Sequence, residues 1–389
     1  MKNFAGITAA ILLVFVLGYS LWPATTSSVA ALDASTPTSK DTVGALMADH
    51  VSANKQPQPA AKHLVSEQPE ALSAAAESKL LKLTGQCDET DMLTLSNLID
   101  NAMLFLKQSS IRDNLQQTDD GISQLTYLFD ANDYDTAALT PQLLALSQQY
   151  PNDPIVAYDA MVGCSSTSLR CSDDDIAELL QGNTSNAAFW MLQANRLLQQ
   201  QQESEALQAL QQVIDAPVFQ TFWGEHIAAF KQAYLQAGSA DSLPVMLQAV
   251  TLSARTGVPN YAPLSRYCGN LAPEQTQALA VCLQVGQRMA SSQTTYLVNM
   301  IGFSLQTKVL QKLDDAPALA AVAAQKAQFT KVQQQMSQLQ GVLMFDRNLT
   351  ADWLDNLRNA GEAEGTMRSV HQLLKVASAP DFNPCTINW

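Results

Sequence analysis

Six cysteines, Cys87, Cys164, Cys171, Cys268, Cys282 and Cys385, carry the clearest chemistry in the chain. None stands in a Cys-x-x-Cys spacing, so a structural zinc site is not expected. Cys164 and Cys171 bracket the short stretch SSTSLR, and Cys268 and Cys282 flank the turn from Gly269 to Pro273, which makes two local disulfides the economical pairing. Cys87 and Cys385 then remain for a third bond, and closing so long a loop constrains the unfolded chain most. The competing reading for Cys282 is a small buried apolar residue, since it shares a helical face with Leu279, Val285 and Met289.

Acid–base chemistry has fewer footholds. His50, His63, His226 and His371 are isolated from one another, so no metal-ligand set is expected, and no sequence feature asks for a cofactor. Glu225-His226, among aromatic residues, is the one acid–histidine neighbour pair and the first place to look for general acid/base work. Consecutive helical residues point about 100° apart, however, so the two cannot bond each other, and a structural or surface histidine is expected. Asp130, Asn132 and Asp135 in DANDYD have calcium-loop spacing, but Asp135 stands where a glycine is needed and Pro141 where the closing glutamate belongs. A solvated acidic turn is expected there. In Ser172-Asp173-Asp174-Asp175, Ser172 reads as a helix cap with carboxylates in the first turn. Gly-x-Ser-x-Gly, His-Glu-x-x-His and phosphate loops are absent from the sequence. The lone Ser-x-x-Lys match, Ser52 and Lys55, falls in a polar stretch that cannot hold a nucleophile beside its base.

The elements that must position these residues are helical. Beyond about Glu77 the chain is rich in Ala, Leu and Gln, all helix formers, with little strand-like alternation. Met92, Leu95, Ile99, Ala102 and Leu106 form one apolar stripe. Trp190, Ala194, Leu197 and Leu198 form a second; Ala206, Leu210, Val213 and Ile214 form a third after a break at Gln201–Ser204, which predicts a helical hairpin. Further helices are expected over Glu274–Met289 with Pro273 at the first position, Ser292–Leu313, Ala316–Leu343, and Asp352–Ala377 broken near Gly361.

Trp190, Ala194, Leu197, Ala206, Leu210 and Val213, with Pro217 closing the unit, resemble a degenerate tetratricopeptide repeat. Trp223 follows Trp190 at about one 34-residue period, with Ile227 and Phe230 at the next offsets, and Tyr150–Pro154 looks like an earlier junction. The resemblance covers roughly Leu139 to Leu247 and implies an all-α protein of stacked antiparallel hairpins, an α-solenoid. Such stacks bind proteins or peptides on a concave face. Phe219, Phe222, Trp223, Phe230 and Tyr234 are the candidates to line that groove, against the plainer reading that aromatic residues at helical spacing form core. The stretch from Gly361-Glu362 to Trp389 resembles the ends of uncharacterised secreted helical proteins of proteobacteria, a similarity that implies no activity. Glu77-Ser78 and Glu203-Ser204 share the Glu-Ser of lytic transglycosylases without that family's following pattern.

The first 22 residues set the compartment. Met1-Lys2-Asn3 precedes an uncharged apolar run, residues 4–22, intermediate in length between a cleaved signal core and a helix crossing roughly 30 Å of hydrocarbon. Ser28-Val29-Ala30 offers a cleavage site, while Tyr19 and Trp22 suit a retained inner-membrane anchor. Either way, Lys2 keeps the N-terminus inside and the rest is exported to the periplasm. Residues 23–75 form an Ala/Ser/Thr/Pro/Gln-rich tether, and 76–389 the helical domain. A net charge of −14 over 389 residues, with no Lys/Arg cluster, argues against nucleic acid as the partner. The expectation is a non-enzymatic cell-envelope protein that contacts an envelope protein or peptide. A peptidoglycan-active hydrolase with an unrecognised acidic site, or a structural spacer, is the alternative. The sequence does not set the oligomeric state.

Overall fold

The computed structural model describes residues 110–389 apart from 133–135, 167–170, 257–258, 292–293, 338–341, 344–345, 380–381 and 387, with isolated positions between 75 and 97. The apolar run at 4–22, the tether, the Met92–Leu106 stripe and Cys87 lie outside the described residues. Among those described, the protein is all-helical, and no helix is long and apolar enough to cross a membrane.

Fourteen helices are defined among the described residues: α1 (Ile111–Gln117), α2 (Gly121–Ala131), α3 (Thr136–Gln149), α4 (Pro154–Ser166), α5 (Asp173–Gln181), α6 (Ala187–Gln199), α7 (Glu203–Asp215), α8 (Trp223–Gln236), α9 (Leu243–Arg255), α10 (Ala262–Asn270), α11 (Thr276–Ala290), α12 (Tyr296–Lys312), α13 (Ala316–Ser337) and α14 (Arg347–Val376). Short polar side chains start many of them by accepting otherwise unpaired first-turn amides. Asp120 caps α2, Asn186 caps α6, Thr295 caps α12, and Asp346 takes two amides of α14. Ser172 and Asp175 close a reciprocal capping box on α5, as the sequence predicts. Pro273 lies in the turn before α11, three residues ahead of the helix it was expected to open, because Ala272 N–H and the Gln275 side chain close that turn first. The predicted break in the last helix falls at Gly361, whose φ of 76° only glycine adopts without strain.

The hairpins pack in an order different from their order in the chain. Neighbours in sequence pair as α3/α4, α6/α7, α8/α9 and α11/α12. Across them, α4 lies on α6, α7 lies on α11, and α13 joins α12 to α14. Helix α8 continues the predicted period, yet its principal partners are α1, α2, α9 and α14, while the face of α7 is taken by α11. Contacts therefore run α2–α3–α4–α6–α7–α11–α12–α13–α14–α8 and return to α2, a closed circuit. At the tightest crossing, a Cβ on Gly302 of α12 would lie 2.4 Å from Ala290 N and 2.6 Å from Gly286 O of α11, so glycine sets the separation of that pair.

Helix α4 is deeply enclosed: every residue from Val156 to Ser165 is buried. Its sequence is largely apolar all round, as expected of a helix surrounded by others, with a single charged residue, Asp159.

Candidate functional site

An ionised carboxylate inside an apolar helix needs a partner, because burying a lone charge costs several kcal/mol. The partner of Asp159 comes from 67 residues further along the chain. His226, in the first turn of α8, points into α4 so that Nε2 lies 2.8 Å from Asp159 Oδ2, with the two side chains 1% and 2% exposed. The other ring nitrogen, Nδ1, lies 2.7 Å from the carbonyl of Phe222. Phe222 is itself unusual, a buried aromatic residue with φ 58°, in the left-handed region that bulky side chains avoid. Its ring meets Tyr158 edge-on at 5.4 Å, and Tyr158 meets Phe189 at 5.7 Å. The Asp159 Oδ1 atom is buried without a hydrogen-bond partner among the described residues.

Burial acts to lower the His226 imidazole, but the Asp159 carboxylate, helped by the Phe222 carbonyl and Glu225, outweighs it and holds the ring above its usual value. Burial pushes the Asp159 carboxyl up, and His226 pulls it back. Both ring nitrogens face acceptors, so neither has a lone pair directed at a substrate.

Glu225, the neighbour singled out by sequence, points elsewhere: it accepts a 2.6 Å bond from Gln220 Nε2. The expected separation of Glu225 and His226 on the helix holds, and the histidine is structural. Its true partner was missed. The available signal was a single charged residue in the apolar run from Pro154 to Gly163.

The proposed aromatic groove is not open in this structure. Phe219, Phe222, Phe230 and Tyr234 are buried, and Trp223 is half-buried, edge-on to Trp353 at 6.4 Å. Those on α8 face inward because α1, α2, α9 and α14 close over it, and Phe222 packs on Tyr158 of α4. Trp190 is half-buried and donates its Nε1–H to the Thr184 carbonyl at 2.9 Å.

Asp130 corrects the acidic-turn reading. It sits at a junction of helices, where its Oδ2 accepts from Arg112 Nε at 3.0 Å and its Oδ1 from Tyr234 OH at 3.1 Å and Gln248 Nε2 at 2.8 Å. Burial first, and then the Asp130 charge, drive the Tyr234 hydroxyl far above its usual range. A second buried carboxyl, Glu362, follows the Gly361 kink and accepts the Tyr296 amide at 2.6 Å; burial pushes it up to about 7. Among the described residues no group of three or more His, Cys, Asp or Glu side chains is placed to hold a metal ion.

Cys164–Cys171 and Cys268–Cys282 are disulfides, with Cα–Cα distances of 5.5 and 5.9 Å. The first ties the end of α4 to the start of α5, and the second ties α10 to α11. Cys385 is also disulfide-bonded, and the expected partner Cys87 lies outside the described residues. No family model, curated protein or solved structure matches the chain.

Proposed function

We propose that this is a non-enzymatic cell-envelope protein whose exported helical domain, held at the inner membrane by residues 4–22 or released by cleavage, binds an envelope protein or peptide. The observation that carries the reading is the pair of buried disulfides at helix junctions, a form of crosslink that persists in oxidising compartments, in a chain that opens with an apolar leader. Support for binding comes from the hairpin architecture, since helix faces left at the surface of such folds serve as recognition surfaces. Both ring nitrogens of His226 and the Oε2 atom of Glu362 are committed to internal partners, which suits a scaffold. A repeat ancestry belongs to the same proposal: α6 and α7 bury Ala194, Leu197, Ala206, Leu210 and Val213 at the repeat's positions, although later hairpins no longer stack in chain order.

The test is crosslinking and affinity capture of the tagged full-length chain from intact cells, with fractionation in parallel. One envelope protein recovered reproducibly is the expected result. Recovery of nothing, or a chain found in the reducing interior, would overturn the proposal. Turnover of isolated cell wall that is lost in Glu225→Gln while the fold survives would establish the hydrolase reading instead.

A further inference from the structure

The contacts of His226 require one more proton than an ionised carboxylate and a neutral ring can supply. Nε2 lies within bonding distance of Asp159 Oδ2, and Nδ1 within bonding distance of the Phe222 carbonyl. If the ring is doubly protonated, it donates both bonds. If instead the carboxyl is protonated, it donates to Nε2 while Nδ1–H donates to Phe222. The two descriptions place the same proton differently and satisfy the same geometry. Once that proton leaves, a neutral ring with a single N–H faces two acceptors, and one contact becomes lone pair against lone pair. The buried carboxylate, whose Oδ1 has no partner among the described residues, retains the N–H, so the contact that fails is Nδ1 with the Phe222 carbonyl.

That carbonyl belongs to a residue in a conformation its side chain disfavours. Phe222 is left-handed at φ 58° and non-glycine. The preceding loop is strapped: Ala187 N–H donates to Val218 O, Val218 N–H to Ser185 O, Asn186 Nδ2 to Gln220 O, and Arg288 Nη2 to Ala216 O and Pro217 O. The last strap, at Gln220, leaves Thr221 and Phe222 as the hinge. With Nδ1 disengaged, only the first-turn amide of His226 holds the carbonyl, at 2.7 Å.

We propose that Asp159 and His226 form a proton-held latch: their shared proton keeps Phe222 seated against Tyr158, and its loss as pH rises releases the Thr221–Phe222 hinge and uncovers the aromatic core around Tyr158. The other ionisable groups that face the pair are few. Helix α4 contributes Tyr158, with Asp153 just ahead of its first turn; Tyr261, next to Tyr158, precedes α10; Glu225 lies on α8 itself. Helix α2 presents Phe129 through Phe230, α14 presents Leu357, Trp353 and the Arg358 backbone, and α9 presents the Ser253 hydroxyl to Trp223 O. Asp130, Arg112 and Tyr234 gather at the far end of α8, on their own network. Among these groups, Asp159 is the one bonded directly to the ring.

Hydrogen exchange of the full chain, corrected for the intrinsic effect of pH on amide exchange, tests the latch in peptides covering residues 219–227. Protection of the wild type should fall by roughly tenfold per pH unit once the pH exceeds the pair's midpoint. In Asp159→Asn the amide of the new side chain donates to Nε2 of a neutral ring, Nδ1–H stays on Phe222, and protection should be independent of pH. Wild-type protection that is flat up to about pH 9, well above the ordinary imidazole range, or an Asn variant that follows the wild-type curve, would overturn the proposal. Should that variant fail to fold, ring ¹⁵N resonances of the wild type decide. His226 must titrate above the ordinary imidazole value of about 6.5, and titration at or below it would refute the latch.

Discussion

Glu362→Gln should make this protein more stable above neutral pH and flatten its pH response. The Glu362 carboxyl is buried where the Gly361 kink turns the second half of α14 inward, and its backbone N–H donates to Thr294 O at 3.0 Å. Its Oε2 accepts the Tyr296 amide at the start of α12, a contact that favours the charged form, but burial dominates and pushes the group from its ordinary 4.5 up to about 7. Because the folded value is the higher one, the folded state keeps a proton that the unfolded chain releases as pH rises from about 4.5 to 7. The group's contribution is therefore most favourable below that window, is lost across it, and is constant above it. At 1.36 kcal/mol per pH unit, the loss comes to about 3 kcal/mol. Glutamine keeps an oxygen for the Tyr296 amide without a charge to bury. Urea unfolding of both chains from pH 5 to 8 provides the comparison. The midpoints should diverge as pH rises, with the variant higher at pH 8. Parallel curves, or a variant weaker than wild type at pH 8, would refute the reasoning.

Gly302→Ala places a methyl 2.4 Å from the Ala290 backbone and must part α11 from α12, so we expect a loss of about 3 kcal/mol in urea unfolding. Gly182→Ala, which meets nothing within 4 Å, serves as the control and should change stability by less than about 1 kcal/mol. Replacing Cys164 and Cys171 together by serine removes a disulfide of sequence separation 7 and should cost about 2.5 kcal/mol in the same assay. Asp130→Ala strips the shared acceptor from Arg112, Tyr234 and Gln248, and about 3 kcal/mol of lost thermal stability is expected by calorimetry.

Local rules are written in short stretches of chain, and those were legible. The α6/α7 hairpin, the Ser172–Asp175 cap, the Gly361 break and the two local disulfides each depend on residues within a few turns of one another. Aromatic spacing around α8 was legible as well, but whether it faced solvent or core was not. Period alone does not say which helices cover a face, and four of them close over this one. Asp130 looked like a turn residue because its neighbours are polar; its partners Arg112, Tyr234 and Gln248 come from α1, α8 and α9.

By itself the sequence determined that the domain is helical, where several helices start and stop, and that the nearby cysteines join, because propensity, capping and short-loop closure act over a few residues. Tertiary structure alone decided that the hairpins close into a circuit and that Asp159 meets His226 across 67 positions. A buried charge takes whichever partner the packing brings within 3 Å, and chain spacing does not encode that choice.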